Sequence, residues 1–314
     1  MKIINDKIDF DTLKKLTPPD AHHIRDIGYY TDRVEKAMFE QTQQRVTELP
    51  WDKAKGRFDL REGELTIWAG VNGMGKSMVT TQAALFGSKT SSWCIASMEM
   101  KPEATIERMV EMAVGSSSVT KKALHELVAM VGQNIMLYDK QDTVDYQHML
   151  KVIRYVREVY NVDHFVIDSL MKCDKRGASK ENKTVAQVDF INDLASYARD
   201  SGLHVHLVHH MRKGERESNL PDKFDVRGAG EIVDMADNLV IVHSLKSDDP
   251  FAEPTDLPDR FLKIAKQRHG KFEGKLNLYQ SHGLQWVESP SRRPMVFFQP
   301  VQLPSYAGGA TLGI

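Results

Sequence analysis

The sequence has no apolar run that approaches the roughly 20 residues of a membrane-spanning helix. Its N-terminus, MKIINDKIDFDTL, mixes acidic and basic residues and lacks the apolar segment of a signal peptide. Cysteine is scarce, with Cys94 and Cys173 among 314 residues, which argues against a disulfide-stabilised secreted protein. The net charge is −1, so any nucleic-acid surface has to be a local basic patch. These absences predict a cytoplasmic protein with no membrane partner.

Strand-like and helix-like segments alternate between Glu64 and about Glu288. The apolar strand candidates are ELTIWAG, WCIASM, NIMLYD, DHFVIDS, HVHLVHH and NLVIVH. Segments such as TIERMVEMAVG and YQHMLKVIRYVREVY carry apolar residues at helical spacing between the early strands. This alternation predicts an α/β fold with a central, mostly parallel sheet flanked by helices. The segments FLKIAKQ and FEGKLNLYQ predict a C-terminal β-hairpin at the sheet edge.

Three regions are predicted along the chain. Residues 1–50 form an N-terminal segment with turn signals and one helix over about Thr31–Val46. Residues 51–288 form the α/β domain, and 289–314 form a flexible tail rich in proline and glycine. The apolar side chains of 296–298 in that tail would pack on their own domain or on a partner.

The segment GVNGMGKS, Gly70–Ser77, has the pattern G-x-x-x-x-G-K-S between a strand and a helix. Glycines let successive backbone N–H groups converge on phosphate oxygens, and the start of the following helix favours negative charge. Lys76 is expected to reach the β- and γ-phosphates, and the Ser77 hydroxyl to ligate Mg²⁺. A chance glycine turn is the alternative. The segment therefore predicts binding of ATP or another nucleoside triphosphate by Gly70, Asn72, Gly73, Met74, Gly75, Lys76, Ser77 and Met78.

Two carboxylates follow predicted strands. Asp168 ends an apolar strand, which is typical of a Walker B acid that holds Mg²⁺. Glu99 follows the strand after the P-loop helix, where it would act as general base on the attacking water. A helix-capping acid is the alternative for Glu99.

The segment HVHLVHH raises the possibility of a metal site, because His204, His206 and His210 would share one strand face. No acidic or cysteine ligand lies nearby in sequence, and the strand would be central and covered. We therefore expect no metal there.

Several motifs together resemble DnaB-type hexameric replicative helicases, in particular the helicase domain of phage primase-helicases and Twinkle. The resemblance covers roughly Leu49 to Glu288: the entry to the P-loop, SMEM, VIDSL, LVHHMRK, DVRGAGEIVDMADNLVIV and KQRHG. It implies a RecA-like motor. It supports Glu99 and Asp168, and it makes His210 a sensor of the γ-phosphate.

The resemblance further implies an arginine finger at Arg268, with Lys266 beside it, that acts on the nucleotide of a neighbouring subunit. Tyr279 falls where phage relatives stack a tyrosine on the nucleotide base. A solvated hairpin and simple packing are the respective alternatives. The implied DNA-binding residues are Arg212, Lys213, Arg227, Gly228 and Gly230.

The implied function is an ATP-dependent replicative helicase. It would be a homohexameric ring that moves on single-stranded DNA, with Mg²⁺ as cofactor, in a bacterial cell or a phage-infected host. A primase, loader or polymerase would be a separate protein, because no primase module precedes the motor. The alternatives are a RecA-type recombinase, a ring NTPase such as a packaging motor, and an assembly protein without turnover.

Overall fold

The structure is a computed structural model that describes residues 26–39, 46–174, 180–211, 221–226, 229–245, 255–281 and 283–297. It divides into one unit of residues 1–44 and a second of residues 45–314. The described part of the first unit is a 3₁₀ turn, Ile27–Tyr30, followed by helix α1, Thr31–Phe39. The helix predicted to reach Val46 is shorter, because Val46 instead pairs with Arg61 in a two-stranded ladder.

The second unit alternates strands with helices, as the sequence predicts. Its described helices are α2 Lys76–Gly87, α3 Pro102–Val114, α4 Lys121–Val131, α5 Tyr146–Tyr160, α6 Lys180–Ser201 and α7 Ala229–Met235. Its described strands are β1 Val46–Thr47, β2 Leu60–Arg61, β3 Leu65–Gly70, β4 Trp93–Ser97, β5 Ile135–Leu137, β6 Val144–Asp145, β7 His164–Asp168, β8 Cys173–Asp174, β9 His204–His210, β10 Asn238–Ser244, β11 Arg260–Gln267, β12 Gly274–Gln280 and β13 Trp286–Val287.

Nine of these strands form one sheet in the order β13-β12-β11-β10-β3-β9-β7-β4-β5. The six strands from β10 to β5 are parallel, and β11, β12 and β13 add to the edge in antiparallel fashion. The α/β prediction is therefore confirmed, together with the C-terminal hairpin β11–β12. Parallel strands place their carboxyl ends at one edge of the sheet, which is where ligands bind in open α/β folds.

Both faces of the sheet are covered, which explains why its central strands are apolar at nearly every position. Along β3, Leu65 and Ile67 face a core shared with α5, α6 and α7. Trp68 faces the opposite core, shared with α2, α3 and α4. A side-chain period of two in the strand thus fills two separate cores with one sequence.

Helix α5 covers the same residues, 146–160, as its sequence pattern. Asp145 caps its first turn by accepting a hydrogen bond from the Gln147 N–H, and Asn161 ends it in the left-handed conformation with φ of 50°. Both ends of the helix are therefore encoded by neighbouring residues.

Part of the segment predicted as a flexible tail, residues 289–297, packs on the second unit. Phe297 is buried and meets Phe86 of α2 edge to face, with 5.4 Å between ring centroids. The Met295 N–H donates to the Gln285 side chain, and the Gln285 amide donates back to the Met295 carbonyl. Val296 is exposed, and Phe298 lies outside the described residues.

Candidate nucleotide-binding site

The P-loop connects the end of β3 at Gly70 to the start of α2 at Lys76. Gly73 and Gly75 have φ of 76° and 91°, a region that L-residues rarely adopt. Gly75 also lies against Trp286, where an added Cβ would come within 2.9 Å of Cζ2. The loop conformation therefore requires glycine at Gly75 for two independent reasons.

Lys76 is buried at the base of the loop. Its Nζ donates to the carbonyls of Gly70 and Val71, both at 3.0 Å, and lies 3.4 Å from Nδ1 of His210. Burial lowers the pKa of Lys76 to about 8, against the opposing charges of Asp168 and Glu99. The ammonium is thus held by backbone carbonyls, which phosphate oxygens can replace as stronger acceptors.

The two predicted carboxylates lie on adjacent parallel strands, because Ser97 of β4 is directly opposite Asp168 of β7. Asp168 is buried; burial raises the pKa of this carboxyl, and a hydrogen bond from Ser77 opposes the rise. Glu99 is exposed and accepts a hydrogen bond of 2.9 Å from the Ser169 hydroxyl. The contact between Ser77 and Asp168 brings a hydroxyl and a carboxylate together, a hard oxygen pair that fits Mg²⁺.

His210 ends β9 directly opposite Gly70, so the strand register places it beside the P-loop. Together these residues line a cleft of about 430 Å³. Its lining consists of Asn72, Gly73, Gly75, Lys76, Ser77, Met78, Glu99, Arg108, Asp168, Met171 and His210.

Two residues of the predicted loop do not line this cleft. Gly70 is the last residue of β3, and an added Cβ there would come within 2.5 Å of the Val242 carbonyl oxygen. Met74 is buried, and its sulfur accepts a hydrogen bond of 3.4 Å from Ser244. Both residues shape the loop from behind.

Sequence reasoning missed Arg108 and Met171 as cleft residues. Arg108 lies on α3, three residues after the buried Thr105, so both belong to one helix face. The helical register of the segment after Glu99 is the signal that could have found Arg108.

Arg268 and Lys266 lie at the other end of the sheet. The Arg268 guanidinium donates to the buried Asp237 carboxylate and to the Asp234 carbonyl, both at 2.9 Å. Lys266 donates to the carbonyls of Val233 and Asp234 at 2.8 and 3.0 Å. Burial lowers the pKa of Lys266, and the neighbouring Arg268 charge lowers it further. Both cations therefore lie at the last turn of α7, where unpaired helix carbonyls attract positive charge.

Tyr279 is not brought to the cleft. Its side chain is buried, and the Arg292 guanidinium lies 5.4 Å from the ring centroid. Arg292 is itself fixed by Asp259, at 2.9 Å, and by the carbonyls of Gln280 and Thr255. The predicted stacking of Tyr279 on a base is therefore not supported by this arrangement, because a cation from a later segment covers the ring.

The predicted DNA-binding residues Arg212, Lys213, Arg227 and Gly228 lie outside the described residues. Gly230 is exposed at the start of α7. It lines a cavity of about 370 Å³ together with Lys223, Phe224 and Lys266.

The histidines considered as metal ligands are used differently. In the part of the chain that the structure describes, no three His, Cys, Asp or Glu side chains form a group that could hold a metal ion. His206 accepts from the Trp68 indole at 3.1 Å and lies 3.1 Å from His164, while His204 contacts Thr66 and the Arg61 carbonyl. His210, at the end of the strand, belongs to the cleft.

A family model described as an AAA domain matches residues 35–216. The match covers more than half of the chain and includes the P-loop, Glu99, Asp168 and His210. The chain belongs to this AAA domain family. Family membership implies nucleotide binding, which agrees with the cleft described above.

Two solved structures show how far the fold of this AAA domain protein is shared. The first is an isolated ATPase domain, 18% identical, with a TM-score of 0.69; the match covers 84% of this chain and 99% of that domain. The second is a DnaB-like replicative helicase, studied with regard to its interactions with primase. It is 17% identical, with a TM-score of 0.64, and the match covers 84% of this chain and 67% of the helicase. The resemblance inferred from the sequence is confirmed at the level of the fold.

Among the described residues of this AAA domain protein, no helix is both long and apolar enough to span a membrane.

Proposed function

We propose that the protein is an ATP-driven, ring-shaped DNA helicase of the DnaB type. It would hydrolyse ATP at the P-loop cleft, move along single-stranded DNA and separate the duplex ahead. The shared fold and the composition of the cleft support this proposal, and the position of Arg268 carries it.

Arg268 is too far from the P-loop of its own chain to act there. Its N–H donates to the Asp237 carbonyl, and the Asp237 N–H donates to the Leu65 carbonyl, at the first residue of β3. Lys76 lies beyond the other end of β3, and a six-residue strand spans roughly 17 Å. An arginine finger at this position can reach only the nucleotide of another subunit, and a head-to-tail interface of this kind closes into a ring or continues as a filament.

Hydrolysis would be divided among residues of two subunits. Glu99 would accept a proton from the attacking water as its oxygen bonds to the γ-phosphorus, and the bond to the β-phosphate oxygen breaks. Lys76 and the Arg268 of a neighbouring subunit would stabilise the charge that develops on the phosphoryl oxygens. Ser77 and Asp168 would hold Mg²⁺, which neutralises charge on the β- and γ-phosphates. His210 would report the presence of the γ-phosphate to the rest of β9.

Single-stranded DNA is the proposed polymer. The segment from Arg212 to Gly230 follows directly on β9, which ends at the P-loop, and leads into α7, which ends beside Arg268. A segment between these two ends is placed to move when subunits repack around ATP. Its arginines and glycines would grip phosphates without reading bases, as a translocating motor requires. A separate primase would be a partner at a replication fork.

Strand displacement on a forked DNA with ATP tests the proposal. Wild-type protein should separate the strands, and Lys76→Ala should not, because the ammonium that holds the phosphates is lost. Lack of unwinding with ATPase stimulated by single-stranded DNA would contradict the helicase and favour a RecA-type recombinase, which electron micrographs of filaments would identify. Stimulation by duplex DNA or RNA alone would favour a packaging-type motor.

A further inference from the structure

A half-buried arginine, Arg108, faces the cleft from the wall opposite the P-loop. It also lines a small cavity behind the cleft, formed by residues of α2, β4 and β7. Ser77 and Asp168 line both spaces as well. Arg108 is therefore next to the residues that would hold the metal and the phosphates, although it lies on α3 rather than on any of the recognised motifs.

The guanidinium of Arg108 forms no hydrogen bond or ion pair of normal length with any residue that the structure describes. Burial lowers the pKa of this arginine, and the charges of Asp168 and Glu111 only partly oppose that effect. A desolvated cation without a partner is costly, and arginine pairs best with planar or tetrahedral oxyanions. Its environment is therefore suited to an anionic ligand.

The wall that carries Arg108 faces one part of a bound nucleotide. Lys76 and the start of α2 occupy the P-loop side, where the β-phosphate would lie. Arg108 shares its wall with Glu99, the residue placed to activate the water that attacks the γ-phosphorus. An oxyanion between these two walls is the terminal phosphate.

We propose that Arg108 binds the γ-phosphate of the nucleotide held by its own chain. The inference rests on the proposed nucleotide hydrolysis, to which it adds a residue. The site would then hold one arginine from its own subunit, present before assembly, and one from a neighbour, Arg268. Arg108 would distinguish the triphosphate from the diphosphate in an isolated subunit.

Calorimetric titration of the full-length protein with Mg²⁺ and either ADP or the β,γ-imido analogue of ATP tests this assignment. Arg108→Ala should weaken binding of the analogue by about tenfold, because a charge-assisted contact is lost, and should leave ADP affinity within about twofold. Arg108→Lys should lie between the wild type and Arg108→Ala. The exposed neighbour Glu107, changed to Gln, should keep both affinities and serves as the control on the same helix.

Equal weakening of both nucleotides, or no change in either, would overturn the role of Arg108 in binding the γ-phosphate. A general loss of folding cannot imitate the expected result, because it would affect both nucleotides alike. Wild-type protein that binds neither nucleotide would contradict the proposed function itself, whereas wild-type binding with an unchanged ratio in Arg108→Ala contradicts this inference alone.

Discussion

At the residue scale, the P-loop depends on side chains that are absent. Gly75 combines a φ of 91° with close contact to Trp286, whereas Gly56 has a φ of 66° and open space where a Cβ would lie. The sequence motif predicted the glycine but not the contact, because Trp286 is more than two hundred residues away along the chain. Only folding brings the two together.

We predict that Gly75→Ala abolishes nucleotide binding and destabilises the protein more than Gly56→Ala does. Both variants carry the strain of a left-handed residue, about 1–2 kcal/mol, but only Gly75→Ala must also displace an indole. Chemical denaturation of the two variants measures the difference in the free energy of unfolding. Equal losses would mean that the Trp286 contact yields easily.

Other parts of the site show where sequence reasoning stops. The P-loop, Glu99, Asp168 and His210 were found because each follows a strand whose apolar pattern is local. Arg108 was missed because its position depends on how α3 packs on the sheet. Tyr279 was assigned to the nucleotide base because the burying cation, Arg292, comes thirteen residues later, after a further strand.

At the scale of elements, strands β7 and β9 are joined by histidine side chains as well as by their backbones. Thr47 contacts His164, His164 contacts His206, and the imidazoles of His204 and His206 stack at 4.4 Å. Trp93 stacks on His164 with 4.0 Å between ring centroids. This arrangement has room for neutral rings only, and burial lowers the pKa of His204 to about 4 and that of His206 further.

We predict that the free energy of unfolding decreases as the pH falls from about 6.5 towards 4. The unfolded chain binds protons on these histidines at pH 6.5, whereas the folded chain binds them only near pH 4, so stability is complete above the first value and is lost below it. For His204 alone the loss reaches about 3 kcal/mol. Denaturation of the wild type and of His204→Gln across this range measures the slope.

The slope should be smaller in His204→Gln and unchanged in a variant of the exposed His125, changed to Gln. Buried carboxyls with raised pKa, such as Glu64, act in the opposite direction and are the same in all three proteins. Identical slopes for the wild type and His204→Gln would contradict a role for this histidine.

The elements themselves followed the sequence closely where their signals are local. Helix α5 has an amphipathic pattern and caps at both ends, and its bounds were predicted. Helix α1 was predicted too long because the residues after Phe39 are polar helix formers. Val46 leaves the helical pattern through pairing with Arg61, a contact that local propensity does not reveal.

At the scale of the whole molecule, the separation of Arg268 from Lys76 means that one chain holds two incomplete halves of a site. We predict that Lys76→Ala and Arg268→Ala are each inactive as ATPases and that a mixture regains activity. A complete site forms where an Arg268→Ala subunit supplies Lys76 and its Lys76→Ala neighbour supplies Arg268. Random assembly in equal amounts produces about a quarter of such interfaces.

Basal ATPase of the separate and mixed variants, after dissociation and reassembly, measures this complementation. The double variant Lys76→Ala with Arg268→Ala, mixed with wild type, serves as the control for simple dilution. No recovery in the mixture of single variants would mean that Arg268 does not act between subunits.

The contact between Trp286 and Gly75 also gives the protein an intrinsic optical signal. All four tryptophans are buried, and the Trp286 indole N–H finds no acceptor among the described residues. Trp286 is the one whose ring lies against the P-loop. Its emission should therefore change when phosphates rearrange that loop, while Trp51, Trp68 and Trp93 supply a constant background. Occupancy of the cleft can then be followed by fluorescence without attaching a dye.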